Sequence, residues 1–170
     1  LYFSDFRSCE RTYQLITQVA GRAGRADKKG KVILQTFSPS HYVFRYATNY
    51  NYEGFFDKEN NVRMVSDFPP YTTIIRIMMM GKDEESVITC AKKAYGHMRK
   101  LSEEYRRDFV YLQAMKSPVS RIENKYRYQI LIRIKREKEA VLTGRIYDII
   151  NQDKVRGVSI FAEINPQSMN

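Results

Sequence analysis

The chain has 170 residues, a length that fits one average domain or two small ones. Its 29 lysines and arginines exceed its 19 aspartates and glutamates, so the formal charge is +10, which favours polyanionic partners and says nothing about the fold. Hydrophobic residues make up 43% and aromatic residues 13%, too many for a disordered chain, and no apolar run approaches the roughly 18 residues of a membrane span. The chain begins with Leu1 rather than Met and lacks a signal-peptide pattern, as expected of a segment cut from a longer protein.

The first 66 residues predict a helix, a turn, a buried strand and two further helices. A run without Gly or Pro over residues 9–20 carries apolar residues at helical spacing, and Gly21 and Gly24 are expected to end it. Residues 31–37 (KVILQTF) are rich in β-branched residues and predict a buried strand. The two further helices are predicted at residues 41–48 and 52–65.

The two prolines of residues 67–70 (DFPP) mark a domain boundary, because proline fixes an extended backbone and stops any helix. The segment that follows has the order β-α-β-β-α-β, the ferredoxin-like pattern, in which two right-handed crossovers place both helices on one face of a four-stranded sheet. The predicted strands are 72–80, 109–115, 125–135 and 157–164, and the predicted helices are 84–106 and 137–150. Ser117-Pro118 is expected to be a loop. The chain is thus expected to combine an α/β part, residues 1–66, with an α+β domain, residues 67–170.

The few cysteines and histidines argue against a metal site. They are Cys9, Cys90, His41 and His97, and no two lie within four positions of each other, whereas zinc ligands usually come from two close pairs. Two cysteines in a basic chain without a secretion signal favour a reducing cytoplasm. Cys90 lies on an apolar helical stripe, so core packing is its expected role.

The most distinctive motif is QVAGRAGR, residues 18–25. A guanidinium stabilises the charge that develops on phosphate oxygens during nucleotide hydrolysis, so an arginine finger is the chemistry that suits it. Arg22 and Arg25 each follow a glycine and can project from a helix end. The candidate catalytic residues are Gln18, Arg22 and Arg25, and the candidate nucleotide-binding residues are Gly21 and the same two arginines. The alternative is an ordinary basic loop, which Gln18 at this spacing disfavours.

Two segments resemble other nucleotide-binding motifs but differ from them at decisive positions. Residues 24–32 resemble a phosphate-binding loop, but five residues separate the glycines instead of four, and Val32 stands where Ser or Thr would hold magnesium. Residues 83–86 (DEES) resemble an acidic helicase box, but acidic side chains at a helix start are typical of capping by Asp83.

The second candidate site is the basic stretch of residues 116–138, which holds eight Lys and Arg against two Glu. Alternation along residues 125–135 places the basic side chains on one face of the strand and the tyrosines and isoleucines on the core face. Neighbouring strands would add Arg76 to the basic face and could add Tyr111 and Phe161. Cations interleaved with rings suit single-stranded nucleic acid, through phosphate attraction and base stacking. The candidate nucleic-acid-binding residues are Arg76, Lys125, Arg127, Arg133 and Lys135. A solvated face, or one packed against a neighbouring domain, is the alternative.

The motif QVAGRAGR is similar to motif VI of superfamily-two helicases, and the wider run of residues 5–25 resembles the PriA family of bacterial replication-restart proteins. The resemblance covers essentially the whole chain, as the C-terminal part of a longer helicase. Further matching segments lie at residues 30–36, 51–55, 68–71, 125–131 and 163–167. The chain departs from the family at Glu163 and Asn165, where Asp is frequent, and at Tyr128, where Trp is frequent.

The resemblance implies that residues 1–66 end the second RecA-like lobe of an ATP-dependent 3′-to-5′ DNA helicase, and that residues 67–170 form the family's C-terminal domain. The whole protein would restart stalled forks in the bacterial cytoplasm, at the nucleoid, and load the primosome. Its implied partners are DNA forks, single-stranded DNA, the single-stranded-DNA-binding protein and primosome proteins, without a membrane.

The resemblance also implies cofactors. ATP and magnesium would bind the complete protein, with Arg22 and Arg25 reaching the γ-phosphate and Gln18 orienting them or a water, whereas zinc would bind outside this segment. The phosphate-binding loop and acidic box would precede Leu1, so the segment alone is expected not to hydrolyse ATP. The alternative function is a stand-alone ferredoxin-like nucleic-acid-binding module without enzymatic activity, which would have no need for residues 18–25.

Overall fold

The computed structural model describes residues 5–23 and 30–167. The chain divides into two compact units, Leu1–Ser66 and Asp67–Asn170. The helices are α1 (Ser8–Arg22), α2 (Tyr42–Thr48), α3 (Tyr52–Val65), α4 (Glu84–Glu104) and α5 (Glu139–Gln152), with a 3-10 turn at Arg136–Lys138. The strands are β1 (Thr72–Gly81), β2 (Phe109–Ile122), β3 (Lys125–Lys135) and β4 (Val158–Ile164).

The first unit holds α1, α2 and α3 around a small aromatic core. The rings of Tyr13 and Phe55 stack with centroids 4.4 Å apart, and Val43 and Ala47 of α2 pack beside them. The predicted helices 41–48 and 52–65 are confirmed as α2 and α3.

Two predictions for the first unit are wrong. Residues 31–36 form neither strand nor helix, and the side chains of Ile33 and Phe37 are 80% and 99% exposed. A strand needs a hydrogen-bonded neighbour, and in the part of the chain that the structure describes all four strands belong to the sheet of the second unit. Gly21 does not end α1, which continues to Arg22, because one helical glycine costs only about 1 kcal/mol. Gly24 lies outside the described residues.

The second unit has the predicted order β-α-β-β-α-β, and its α+β class is confirmed. Its four strands form one antiparallel sheet in the order β2-β3-β1-β4, which leaves the two βαβ halves interleaved as the ferredoxin-like pattern requires. The apolar side chains of α4 and α5 pack on one face of this sheet against alternate residues of the central strands. The buried residues of that core in β1 and β3 are Ile75, Ile77, Met79, Ile130, Ile132 and Ile134.

Strand β2 is seven residues longer than predicted, and the expected loop at Ser117-Pro118 lies inside it. The ladder with β3 is irregular between Lys116 and Arg121, and such a bulge is where a strand accommodates proline. A two-residue turn then joins β2 to β3, with positive φ at Glu123 (48°) and Asn124 (58°), as in the tight turns that suit twisted hairpins. Residues 117–125 are called the hairpin tip below.

Candidate nucleotide and nucleic-acid sites

The helical part of the QVAGRAGR motif is displayed on the outer face of α1. Gln18 and Arg22 are both exposed, and their i,i+4 spacing on one helix puts them on the same face. No heavy atom lies within 4 Å of the position that a Cβ at Gly21 would occupy, so a larger group could approach the backbone there. Arg25 lies outside the described residues. The structure thus brings Gln18, Gly21 and Arg22 to one accessible helix end, and their roles stay predictions.

The second candidate site is the face of the sheet opposite α4 and α5, called the open face below. Strand register confirms that side chains from four strands share it: Arg76 lies opposite Leu131 and Glu163, and Arg133 lies opposite Tyr111. The next row along carries Met115, Gln129, Met78 and Phe161. The structure therefore places the predicted basic residues and rings on a common surface, and it gives each cation a different environment.

Arg76 is turned towards a carboxylate. Its Nε and Nη2 donate to Glu163 Oε2 at 2.9 and 2.8 Å, and only 6% of the residue is exposed. The pair forms because register sets these two side chains directly opposite each other on adjacent strands. Arg76 is therefore a buried, charge-neutralised member of the open face.

Arg133 is held between two aromatic rings. Its Cζ lies 4.8 Å from the ring centroid of Phe68 and 5.0 Å from that of Tyr111, within the range of cation–π attraction. Its Nη1 also donates to the carbonyl oxygen of Asp67 at 3.1 Å. The guanidinium thus ties the segment that opens the second unit to the centre of the sheet.

The two lysines at the ends of β3 are exposed cations. Lys125 and Lys135 are both exposed, and within residues 5–23 and 30–167 neither has a carboxylate oxygen within ion-pair distance. Arg127 is only partly paired. Its Nη1 donates to the carbonyl oxygen of Val119 at 3.3 Å. Its buried Nε has no hydrogen-bond partner among the described residues. Lys125, Lys135 and one edge of Arg127 are thus the cations left for a ligand.

A cluster that the sequence did not reveal joins α4 to the end of α5. The carboxylate of Asp153 is fully buried, and it contacts His97 Nδ1 at 2.9 Å and Lys93 Nζ at 3.3 Å. The thiol of Cys90 donates to the carbonyl oxygen of Asp153 at 3.7 Å, and burial raises the pKa of that thiol. Cys90 packs in the core as predicted. His97 and Asp153 are 56 positions apart in the chain, so their spacing gave no signal for the cluster.

Nowhere in residues 5–23 and 30–167 do three or more His, Cys, Asp or Glu side chains gather in a way that could hold a metal ion. Across the same residues, every helix is too short or too polar to span a bilayer.

Comparison with known proteins gives a consistent result. Residues 65–167 match the family described as the primosomal protein N C-terminal domain. The replication restart protein PriA of Bacillus subtilis (strain 168) is 34% identical over 171 residues, which cover 99% of this chain and 21% of that protein. The PriA proteins of Synechocystis sp. and Borreliella burgdorferi are 36% and 33% identical over 78% and 75% of this chain, and the matches cover 16% and 19% of those proteins. The chain thus spans about a fifth of the length of these relatives.

Proposed function

Because the chain belongs to the PriA family of replication restart proteins, we propose that it is the C-terminal part of an ATP-dependent 3′-to-5′ DNA helicase that restarts replication in the bacterial cytoplasm. In this proposal residues 1–66 end the second RecA-like lobe, and residues 67–170 form a domain whose open face contacts single-stranded DNA. Primosome proteins and the single-stranded-DNA-binding protein are the proposed protein partners.

The proposed role of the first unit is to complete a nucleotide site. ATP bound with magnesium would supply the phosphoryl group, and the donors offered by this chain are guanidinium groups that stabilise charge on its oxygens. The exposure of Gln18 and Arg22 at the end of α1 supports this role, because an arginine finger has to reach a phosphate beyond its own helix. Arg25 would act beside Arg22. Zinc is proposed to bind elsewhere in the complete protein.

The main support for the proposed DNA contact is the pair of exposed lysines at the two ends of β3. Lys125 and Lys135 lie on the same sheet face as the rings of Tyr111 and Phe161, and ten residues of strand at about 3.4 Å per residue separate them by roughly 34 Å. Cations spaced along one strand, with rings on the neighbouring strands of the same face, match the alternating phosphates and bases of a single strand.

Salt dependence of DNA binding tests this proposal. The double variant Lys125→Ala/Lys135→Ala should bind a thymidine oligonucleotide of about 12 nucleotides more weakly than the unmodified chain does. The slope of log affinity against log salt should flatten by about 1 to 1.5, since each phosphate contact on a single strand contributes roughly 0.7. Neither lysine makes a side-chain ion pair in the described chain, so the fold should be preserved.

A matched control removes the same charge from the other side of the domain. Lys92 and Lys100 are exposed residues of α4, and Lys92→Ala/Lys100→Ala should leave the slope within about 0.3 of the original. Equal flattening by the two double variants would contradict a site on the open face, because it would show attraction to overall charge alone.

A further inference from the structure

The open face contains a groove between the hairpin tip and β4. Its volume is about 310 Å³, at the lower end of the roughly 300–1,000 Å³ of small-molecule sites. Strands β2 and β4 are opposite edges of the sheet, yet Ile122 of the tip and Phe161 of β4 line the same groove. The hairpin tip therefore reaches over the open face and gives the groove a wall.

The floor of the groove is formed by apolar side chains. It is made by Met78 and Met80 of β1 and by the ring of Phe161, which lies directly across the ladder from Met78. Met78 is buried, whereas Phe161 keeps 38% of its surface exposed. Thioethers and an accessible ring form the kind of surface on which a flat aromatic group stacks.

The rim of the groove carries three cations, Arg76, Lys125 and Arg127, against the carboxylates of Glu123 and Glu163. Lys125 and Arg127 lie on the β3 side, where they can face a phosphate. The Arg76–Glu163 pair lies at the groove as well and offers a carboxylate edge that is 39% exposed, so hydrogen-bond acceptors are available to the edge of a base.

The guanidinium of Arg127 is a further feature of the groove rim. Its Nε is buried and has no hydrogen-bond partner in residues 5–23 and 30–167, although its Nη1 donates to Val119. Buried donors are nearly always paired, so an orphan donor that lines a groove needs an explanation. An anionic oxygen in the groove would accept from it.

From these features we infer that the groove holds one unpaired nucleotide of single-stranded DNA, with its base stacked on Phe161 and its phosphate between Lys125 and Arg127. This inference rests on the proposed function. It adds the position on the open face at which a base binds. The hairpin tip covers the floor from one side, and the small volume of about 310 Å³ favours a single base over a base pair.

A tryptophan placed in the groove tests the stacking directly. The chain contains no Trp, so Phe161→Trp introduces a single fluorophore at the floor. A thymidine oligonucleotide of about 12 nucleotides should quench it, because a base stacks on the ring, whereas an oligonucleotide of the same length with abasic sites should not. Phe56→Trp on α3, where Phe56 is also exposed, is the control and should respond to neither.

Affinity measurements complete the test. Phe161→Ala should weaken binding of the thymidine oligonucleotide by about 5- to 100-fold, the range expected for one lost stack, with an unchanged salt slope. Binding of the abasic oligonucleotide should not change, and Phe161→Tyr should restore the affinity for thymidine. Phe56→Ala is the matched control for the loss of a ring and should leave both affinities unchanged.

The outcomes separate this inference from the proposal on which it rests. If fluorescence anisotropy of labelled DNA shows salt-dependent binding while the tryptophan signal stays constant, the open face binds DNA and the groove holds no base. Equal quenching of the Phe161→Trp and Phe56→Trp variants would also overturn the groove. Absence of any DNA binding by the chain would overturn the proposed DNA contact together with the groove.

Discussion

Removing the guanidinium of Arg133 should destabilise the second unit, although its place on the open face first suggested a role in DNA binding. Arg133 lies between the rings of Phe68 and Tyr111 and donates to the carbonyl oxygen of Asp67. At a half-exposed site each ring contact is worth about 0.5–1 kcal/mol, and the solvent-exposed hydrogen bond to Asp67 adds about 1 kcal/mol. Arg133→Ala should therefore lower the free energy of unfolding by about 2 kcal/mol.

That loss is large enough to measure by thermal and denaturant unfolding. For a domain of about 100 residues it lowers the Tm by roughly 8–16 °C. Hydrogen exchange should show where the loss falls, with faster exchange in residues 67–72 than in the helices. Arg133→Lys keeps the charge but not the planar group that stacks on rings, so it should recover only part of the stability.

Lys135→Ala is the matched control for this prediction. Lys135 lies two residues further along the same strand face and is exposed, so its loss should change stability by no more than about 0.5 kcal/mol. Equal stabilities of Arg133→Ala and Lys135→Ala would refute the reasoning, because they would show that the two rings and the carbonyl contribute nothing to holding the segment before β1.

Three further predictions follow from single residues. Gly96 and Gly144 lie inside α4 and α5 with open space where a Cβ would be, so Gly96→Ala and Gly144→Ala should each raise the free energy of unfolding by about 0.5–1 kcal/mol in a denaturant titration. Hydrogen bonds from Ser86 lower the pKa of Asp83, so the ionised carboxylate stabilises the fold above the ordinary pKa of Asp. Asp83→Ala should consequently lower the unfolding midpoint at neutral pH, and the difference should vanish as pH falls through the lowered pKa. In a complete PriA-family protein, Arg22→Ala should reduce ATP turnover by about 10³-fold with nucleotide binding less affected, whereas the isolated chain should release phosphate only at background.

The sequence by itself determined the architecture of the second unit. The alternation of residues 125–135 and the apolar stripe of α4 are local periodicities, and they predicted β3 at its observed bounds and α4 to within two residues. The two prolines at 69 and 70 predicted a boundary, and the division between the compact units falls just before their segment. Local pattern sufficed because each of these features depends on residues within a few positions of one another.

Local pattern failed where a residue depends on distant partners. KVILQTF has the composition of a buried strand, but a strand forms only beside another strand, and residues 31–36 have none among the described residues. Ser117-Pro118 likewise has the composition of a loop but lies inside β2, because a bulge that accommodates a proline is decided by the partner strand.

Only the tertiary structure decided what each charge on the open face does. Arg76, Lys125 and Arg133 carry the same formal charge in the sequence, and alternation assigns all three to one surface. Contacts across the sheet then pair Arg76 with a carboxylate 87 positions away and Arg133 with a carbonyl 66 positions away, while Lys125 stays exposed. The energy of a charge depends on its surroundings in space, so chain pattern identified the cations and the fold selected the ones that remain available to a ligand.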